Sequence, residues 1–184
     1  MASGHRHVLL LDKISLAGDG AVKPVDMSFV MAVDRRPISG GGQLGALEAL
    51  TVPAKAWLLK LDGEVGGANV AIDGSSQDAV GVSGLDPIFA VSNQSFATLS
   101  TLAGPPIPPI GPYSISTKVR GGLRTAIKLA DIAAKFGKSD FGGYLKVKLD
   151  GKRSSVDGTF KSTMIDLADF QIAGGKKPAA KGGG

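Results

Sequence analysis

Apolar and polar residues alternate with a period of two through much of this chain. The cleanest run is Tyr113 to Arg120, where Ile115, Thr117 and Val119 share one side and Ser114, Ser116, Lys118 and Arg120 the other. Tyr144 to Asp150 repeats the pattern, with Leu145, Val147 and Leu149 opposed to Lys146 and Lys148. Successive side chains of a strand point to opposite faces, so this spacing predicts half-buried strands. Further strands are predicted at His7–Leu16, Met27–Val33, Ala54–Leu61, Asn69–Asp73, Gly158–Leu167 and Asp169–Ala173. Five Asp-Gly pairs, beginning at Asp19, Asp62, Asp73, Asp150 and Asp157, supply hairpin chemistry, because both residues tolerate positive φ.

One stretch reads differently. From Leu123 to Phe136 the apolar residues Ile127, Ala130 and Ala134 form a stripe, while Arg124, Lys128, Asp131 and Lys135 recur on the far side. That spacing predicts an amphipathic helix, with Gly137 as its stop. Gln43–Leu50 and Ser92–Leu102 are weaker helical candidates. The expected fold is therefore mainly β: an antiparallel sandwich or barrel, one helix at about 123–136, and a proline-rich arm.

That arm is Gly104 to Pro112, which holds five of the ten prolines and should form a stiff polyproline II segment. It divides an expected single domain, 1–173, into lobes 1–103 and 113–173. The end, 174–184, reads as a flexible basic tail.

Composition narrows the chemistry. The 184 residues include 27 Gly, fourteen Asp against two Glu, two His and no Cys. A disulfide scaffold, a Cys-ligated zinc site and a Cys nucleophile are excluded. No apolar run is long enough to span a membrane as a helix, and no secretory signal is recognisable, so a cytoplasmic or particle-bound location is expected.

The net charge of +5 hides an asymmetry: residues 1–112 carry −3 and residues 113–184 carry +8. The candidate polyanion or subunit contact is Lys118, Arg120, Lys146, Lys148, Lys152, Arg153 and Lys161, with Lys176, Lys177 and Lys181 in the tail. Its acidic counter-surface is Asp62, Glu64, Asp73, Asp78 and Asp86. Clustered charge of one sign steers partners of the other.

Other motifs fail on context. Gly40, Gly42 and Gly45 spell G-x-G-x-x-G but lack the strand end and full helix that a dinucleotide site needs. Gly137-Lys138-Ser139 lacks the upstream glycine of a phosphate loop. His5 and His7 have no third metal ligand near in sequence. No catalytic residue, metal site or cofactor is assigned.

The light, Gly-rich, nearly His-free composition resembles that of components of viral or phage particles. The expected function is a non-enzymatic structural subunit that associates with copies of itself or other subunits. The alternatives are a nucleic-acid-binding β domain and an Asp/metal-dependent enzyme.

Overall fold

The computed structural model describes residues 8–34, 36–52, 55–95, 111–122, 124–149 and 154–170. It contains eleven strands: β1 (Leu9–Ala17), β2 (Val25–Val33), β3 (Arg36–Leu44), β4 (Trp57–Val65), β5 (Ala68–Asp78), β6 (Ser83–Leu85), β7 (Ile88–Asn93), β8 (Tyr113–Gly121), β9 (Ala126–Phe136), β10 (Ser139–Lys148) and β11 (Ser155–Lys161). Two short 3-10 turns, Leu47–Leu50 and Leu167–Phe170, complete the described elements. The protein is mainly β and antiparallel, as the alternation predicts.

All eleven strands belong to one sheet. The path runs from β1 to β11 in sequence order, with β6 and β7 sharing the position between β5 and β8. Consecutive strands are joined as hairpins wherever short turns allow, so the topology is a meander. Among the described residues β1 pairs only with β2, and β11 only with β10, so these two strands are the edges of the described sheet. The sheet continues on both sides of the proline segment, since β7 pairs with β8 from Ile88↔Lys118 to Asn93↔Tyr113. Residues 104–110 of the expected arm lie outside the described residues, as does the tail 174–184.

The expected helix is a strand. β9 occupies Ala126–Phe136, and no α-helix occurs among the described residues. The cause is a bulge. Asp131 sits at φ 51, and the register slips by one residue there against β8 and against β10. On the apolar face Ile127 and Leu129 precede the slip, and Ile132, Ala134 and Phe136 follow it. One inserted residue puts a three-residue step, Leu129 to Ile132, into a period of two, and with charged residues at 124, 128, 131 and 135 the segment imitates a helix. Elsewhere Gln43–Leu50 shortens to the Leu47–Leu50 turn; Ser92 and Asn93 are the last residues of β7, and 96–102 of the second helical candidate lie outside the described residues. The segment from Asp169 begins as the Leu167–Phe170 turn rather than a strand. β3, with three consecutive glycines, is a strand that the alternation did not predict.

Registered pairs show which residues share a face. Ile14, Phe29, Gly40, Gly63, Val70, Val91, Ile115, Ala134 and Phe141 form one row across the sheet. Leu16, Met27, Gly42, Leu61, Ile72, Phe89 and Thr117 form a second. This face is apolar from edge to edge. The other face is polar, as in the row Ser39, Glu64, Asn69, Ser92, Ser114, Lys135 and Asp140.

The apolar face is half-buried rather than buried. The buried apolar residues are Val25, Ala49, Ala68, Tyr113, Ala130 and Ala134, and no described Leu, Ile or Phe joins them. Large side chains shield one another within a row, but no second sheet among the described residues covers them. Edge strand β1 is exposed along its whole length, with Leu9 64% and Leu16 61% accessible.

Candidate functional site

The sequence-predicted basic residues divide between two ends of the β8–β11 region. The first end is where β8 finishes at Gly121, β9 starts at Ala126, β10 finishes at Lys148 and β11 starts at Ser155. Lys118, Arg120, Lys146 and Lys148 all lie toward it, on the polar face. Sequence reasoning left out Lys128, which was assigned to the helix. In the sheet it stands between two predicted members, in the register Arg120↔Lys128↔Lys146. Arg124 lies exposed in the β8–β9 turn at the same end. Lys161 is at the opposite end of β11, paired with Gly142. Lys152, Arg153, Lys176, Lys177 and Lys181 lie outside the described residues.

The acidic set is also divided. Asp62 and Glu64 on β4 and Asp73 on β5 occupy the polar face, with Lys60 directly opposite Asp73. Asp78 is structural: its carboxylate accepts from the Gly81 N–H at 2.7 Å and from the Ser83 hydroxyl at 3.2 Å, holding the turn before β6. Asp86 is the point where the two charge blocks meet. It pairs with Lys118 at 3.0 Å and with Arg120 at 3.1 Å. The hydrogen bond from Lys118, then that from Arg120, holds its carboxyl below the usual carboxylate range.

After those pairings, Arg124, Lys128, Lys146 and Lys148 remain without an ion pair among the described residues. Lys146 lies opposite Asp157, whose carboxylate accepts a hydrogen bond from the Tyr144 hydroxyl at 3.4 Å. The Lys128 ammonium stands 5.5 Å from the centroid of the Tyr144 ring, a cation–π contact. Beneath this polar corner the apolar face carries Ile127, Val147 and Val156 in one row, and Val156 is 67% accessible.

A cleft of about 660 Å³ crosses the polar face over β3, β4, β5, β7 and β8. Its walls are side chains of the two rows that flank Gly40, Gly63, Val70, Val91 and Ile115. One wall is Ser39, Glu64, Asn69, Ser92 and Ser114; the other includes Asp62, Ala71, Ala90 and Ser116. These small residues leave the backbone accessible between them.

Two features escaped the sequence reading. One is the continuity of the apolar face, which depends on register. The other is a carboxylate clasp at the far end of β9–β10. Asp169 accepts from the backbone N–H groups of Lys138 and Ser139 and from the Ser139 hydroxyl, each at 2.8 Å. Asp140 accepts from Thr163 N–H at 2.9 Å, Met164 N–H at 2.8 Å, and the hydroxyls of Thr163 and Ser162. These bonds, led by that from the Thr163 hydroxyl, lower the Asp140 pKa to about 2. Asp166 and Asp169 are only three residues apart, but nothing local marks them as partners of Ser139.

No family model matches the chain, and no solved structure matches it. It is similar to the AsmA family protein YhjG of Escherichia coli (strain K12), at 25% identity over 138 residues. The match covers 73% of this chain and 20% of that protein, so the chain spans about a fifth of its relative's length. This corrects the expected function. The similarity is to a bacterial AsmA family protein, not to a component of a viral or phage particle, so the particle-subunit expectation does not hold. Of the seven basic residues expected on one face, the five described ones share the polar face, where Asp86 pairs with Lys118 and Arg120 and Lys161 stands at the other end. No helix among the described residues is long and apolar enough to cross a membrane.

Proposed function

We propose that the chain is a non-enzymatic binding module whose apolar sheet face takes the aliphatic chain of an amphiphile. One observation carries this reading: a face of eleven strands is apolar from edge to edge, yet none of its Leu, Ile or Phe side chains is buried. Exposed apolar surface of this extent marks a binding surface rather than an accident of folding. Burial contributes about 25 cal/mol per Å² of apolar area, so covering even part of it is strongly favourable.

The chemistry of the face favours an aliphatic occupant. Its cross-strand rows are Leu, Ile, Val, Met, Phe, Ala and Gly, with almost no side-chain donor or acceptor. A polypeptide laid there would leave its own backbone groups unpaired, at a cost. A hydrocarbon chain has none to satisfy. The similarity to an AsmA family protein is compatible with this reading but names no ligand.

Trp57, the single tryptophan, provides the test. It lies on the apolar face of β4, half-buried, with its indole N–H donated to the Gly45 carbonyl at 3.0 Å. A neutral amphiphile carrying a brominated chain, added below its micelle concentration, should quench Trp57 saturably. Ile72→Asn, two strand positions along the same face, should weaken quenching. Leu11→Asn on the exposed edge strand is a second variant in case the first disturbs folding. Quenching that never saturates, or that matches a brominated probe lacking the chain, would sink the proposal.

A further inference from the structure

We infer that the end of the sheet bearing Arg124, Lys128, Lys146 and Lys148 holds an anionic headgroup, of an amphiphile whose chain lies on the apolar face. The inference rests on the reading above and adds the chemical class of the ligand's polar end. Three observations carry it.

The first is like charge set directly opposite like charge. Arg120 faces Lys128, and Lys128 faces Lys146, on one side of the sheet. Side chains of directly opposite residues stand about 5 Å apart, and such like-charge pairs are destabilising. Asp86 relieves Arg120 from one end of the row, and Asp157 stands beyond Lys146 at the other. The middle, Lys128, stands against the Tyr144 ring and has no ion pair among the described residues. An anion placed over Lys128 and Lys146 would relieve both repulsions at once.

The second is position. Lys148 is the last residue of β10, Lys128 the third of β9, and Arg124 lies in the turn joining β8 to β9. A single sheet is one backbone thick at its rim. Long lysine and arginine stems there reach the boundary between the two faces. On the other side of that boundary the row Ile127, Val147 and Val156 begins the apolar face. A chain lying along the strands would therefore place its head at this rim.

The third is contrast with other strand ends. Lys135 lies directly opposite Asp140, and the Lys138 ammonium stands 3.8 Å from Asp166. Lys23 pairs with Asp19, and Lys55 with Glu48. Among the described residues, the β8–β11 rim alone gathers four cations with no ion pair.

The expected ligand head is a phosphate, sulfonate or carboxylate. Each lysine near an anionic surface contributes roughly fivefold in affinity at low salt, from about 1 kcal/mol per cation. The experiment compares dodecyl phosphate, dodecylphosphocholine, dodecyltrimethylammonium and inorganic phosphate by calorimetry, with Trp57 quenching by brominated versions of the three amphiphiles. Dodecyl phosphate should bind at least about tenfold more tightly than dodecylphosphocholine. The ammonium amphiphile should bind least, and inorganic phosphate far more weakly than its dodecyl ester. The triple variant Lys128→Ser, Lys146→Ser, Lys148→Ser should lose the preference for phosphate and keep its affinity for dodecylphosphocholine.

Equal affinity for the three headgroups, or a preference that survives in the triple variant, overturns the headgroup assignment alone. Inorganic phosphate binding as tightly as its dodecyl ester would make this a site for free anions and also overturns it. If no amphiphile quenches Trp57, the apolar-face reading falls and takes the headgroup with it.

Discussion

The two ends of the β8–β11 region both carry cations among the described residues and use them in opposite ways. At the end formed by the β9–β10 turn, Lys135, Lys138 and Lys161 are interleaved with Asp140, Asp166 and Asp169. Two of those carboxylates fold back onto backbone N–H groups and fasten residues 162–169 to the hairpin. At the other end, Arg120, Lys128 and Lys146 face one another, and Asp86 is spent on Lys118 and Arg120. Carboxylates that accept backbone hydrogen bonds make charge structural. Cations that oppose cations leave charge available to a partner. The same residue types therefore hold the chain together at one end and expose it at the other.

The largest effect should come from the glycine that closes each end. Gly121, at φ +110, ends β8, and a Cβ there would run into the Ala126 carbonyl oxygen. Backbone cannot retreat as a side chain can, so Gly121→Ala should cost about 2 kcal/mol or more, read by urea denaturation. Gly137, at φ +59, turns β9 into β10, and its Cβ would meet the Asp169 carboxylate. Gly137→Ala should cost about 1–2 kcal/mol for the left-handed backbone. It should also free the Lys138 and Ser139 amides, which hydrogen exchange would show. If the two substitutions cost the same and neither frees those amides, the contrast between a backbone-closed and a carboxylate-closed end is wrong.

Acid should open one end before the other. Asp140 is lowered to about 2 by Thr163, Met164 and Ser162. A depressed native pKa contributes stability that is complete above the unfolded value near 4 and is lost as pH falls toward 2. Asp169 shifts in the same direction, first through the Ser139 hydroxyl. Amide exchange at Thr163 and Met164, corrected for its intrinsic pH dependence, should accelerate about tenfold between pH 4 and pH 2. Asp140→Asn should show the faster exchange already at neutral pH. The hairpin amides of β8 and β9 near Gly121, which no carboxylate among the described residues holds, should not follow the same transition.

How much of this contrast was legible in the sequence follows from its geometry. Lys146 and Lys148 alternate with Leu145 and Val147, so period two alone places them on one face. Lys128 was hidden, because the bulge at Asp131 shifts the alternation by one and lends the segment a helical look. Asp140 and Asp169 carry no local mark of their roles, since their partners Thr163 and Ser139 lie 23 and 30 residues away. The apolar face was legible strand by strand and illegible as a whole. Its continuity depends on pairings such as Phe29↔Gly40 and Gly40↔Gly63, across a glycine-rich β3 that has little side-chain pattern to read.

The smallest effect is the most direct test of the contrast. If Lys128 is held against Arg120 and Lys146 by the sheet register, removing its charge should leave stability unchanged or raise it slightly. Lys128→Ser should shift stability by no more than about 0.5 kcal/mol, toward stabilisation at low salt. Added salt should erase the gain, because it screens the repulsion in the parent protein. Lys138→Ser at the other end should move the opposite way, since its ammonium lies 3.8 Å from Asp166 and reinforces the clasp. That loss should also shrink with salt, as expected of an exposed pair. Opposite signs that converge at high salt would establish that one end spends its cations on structure and the other holds them in reserve. The same sign at both ends would mean that the lysines of β9 and β10 are a solvated surface with no division of labour.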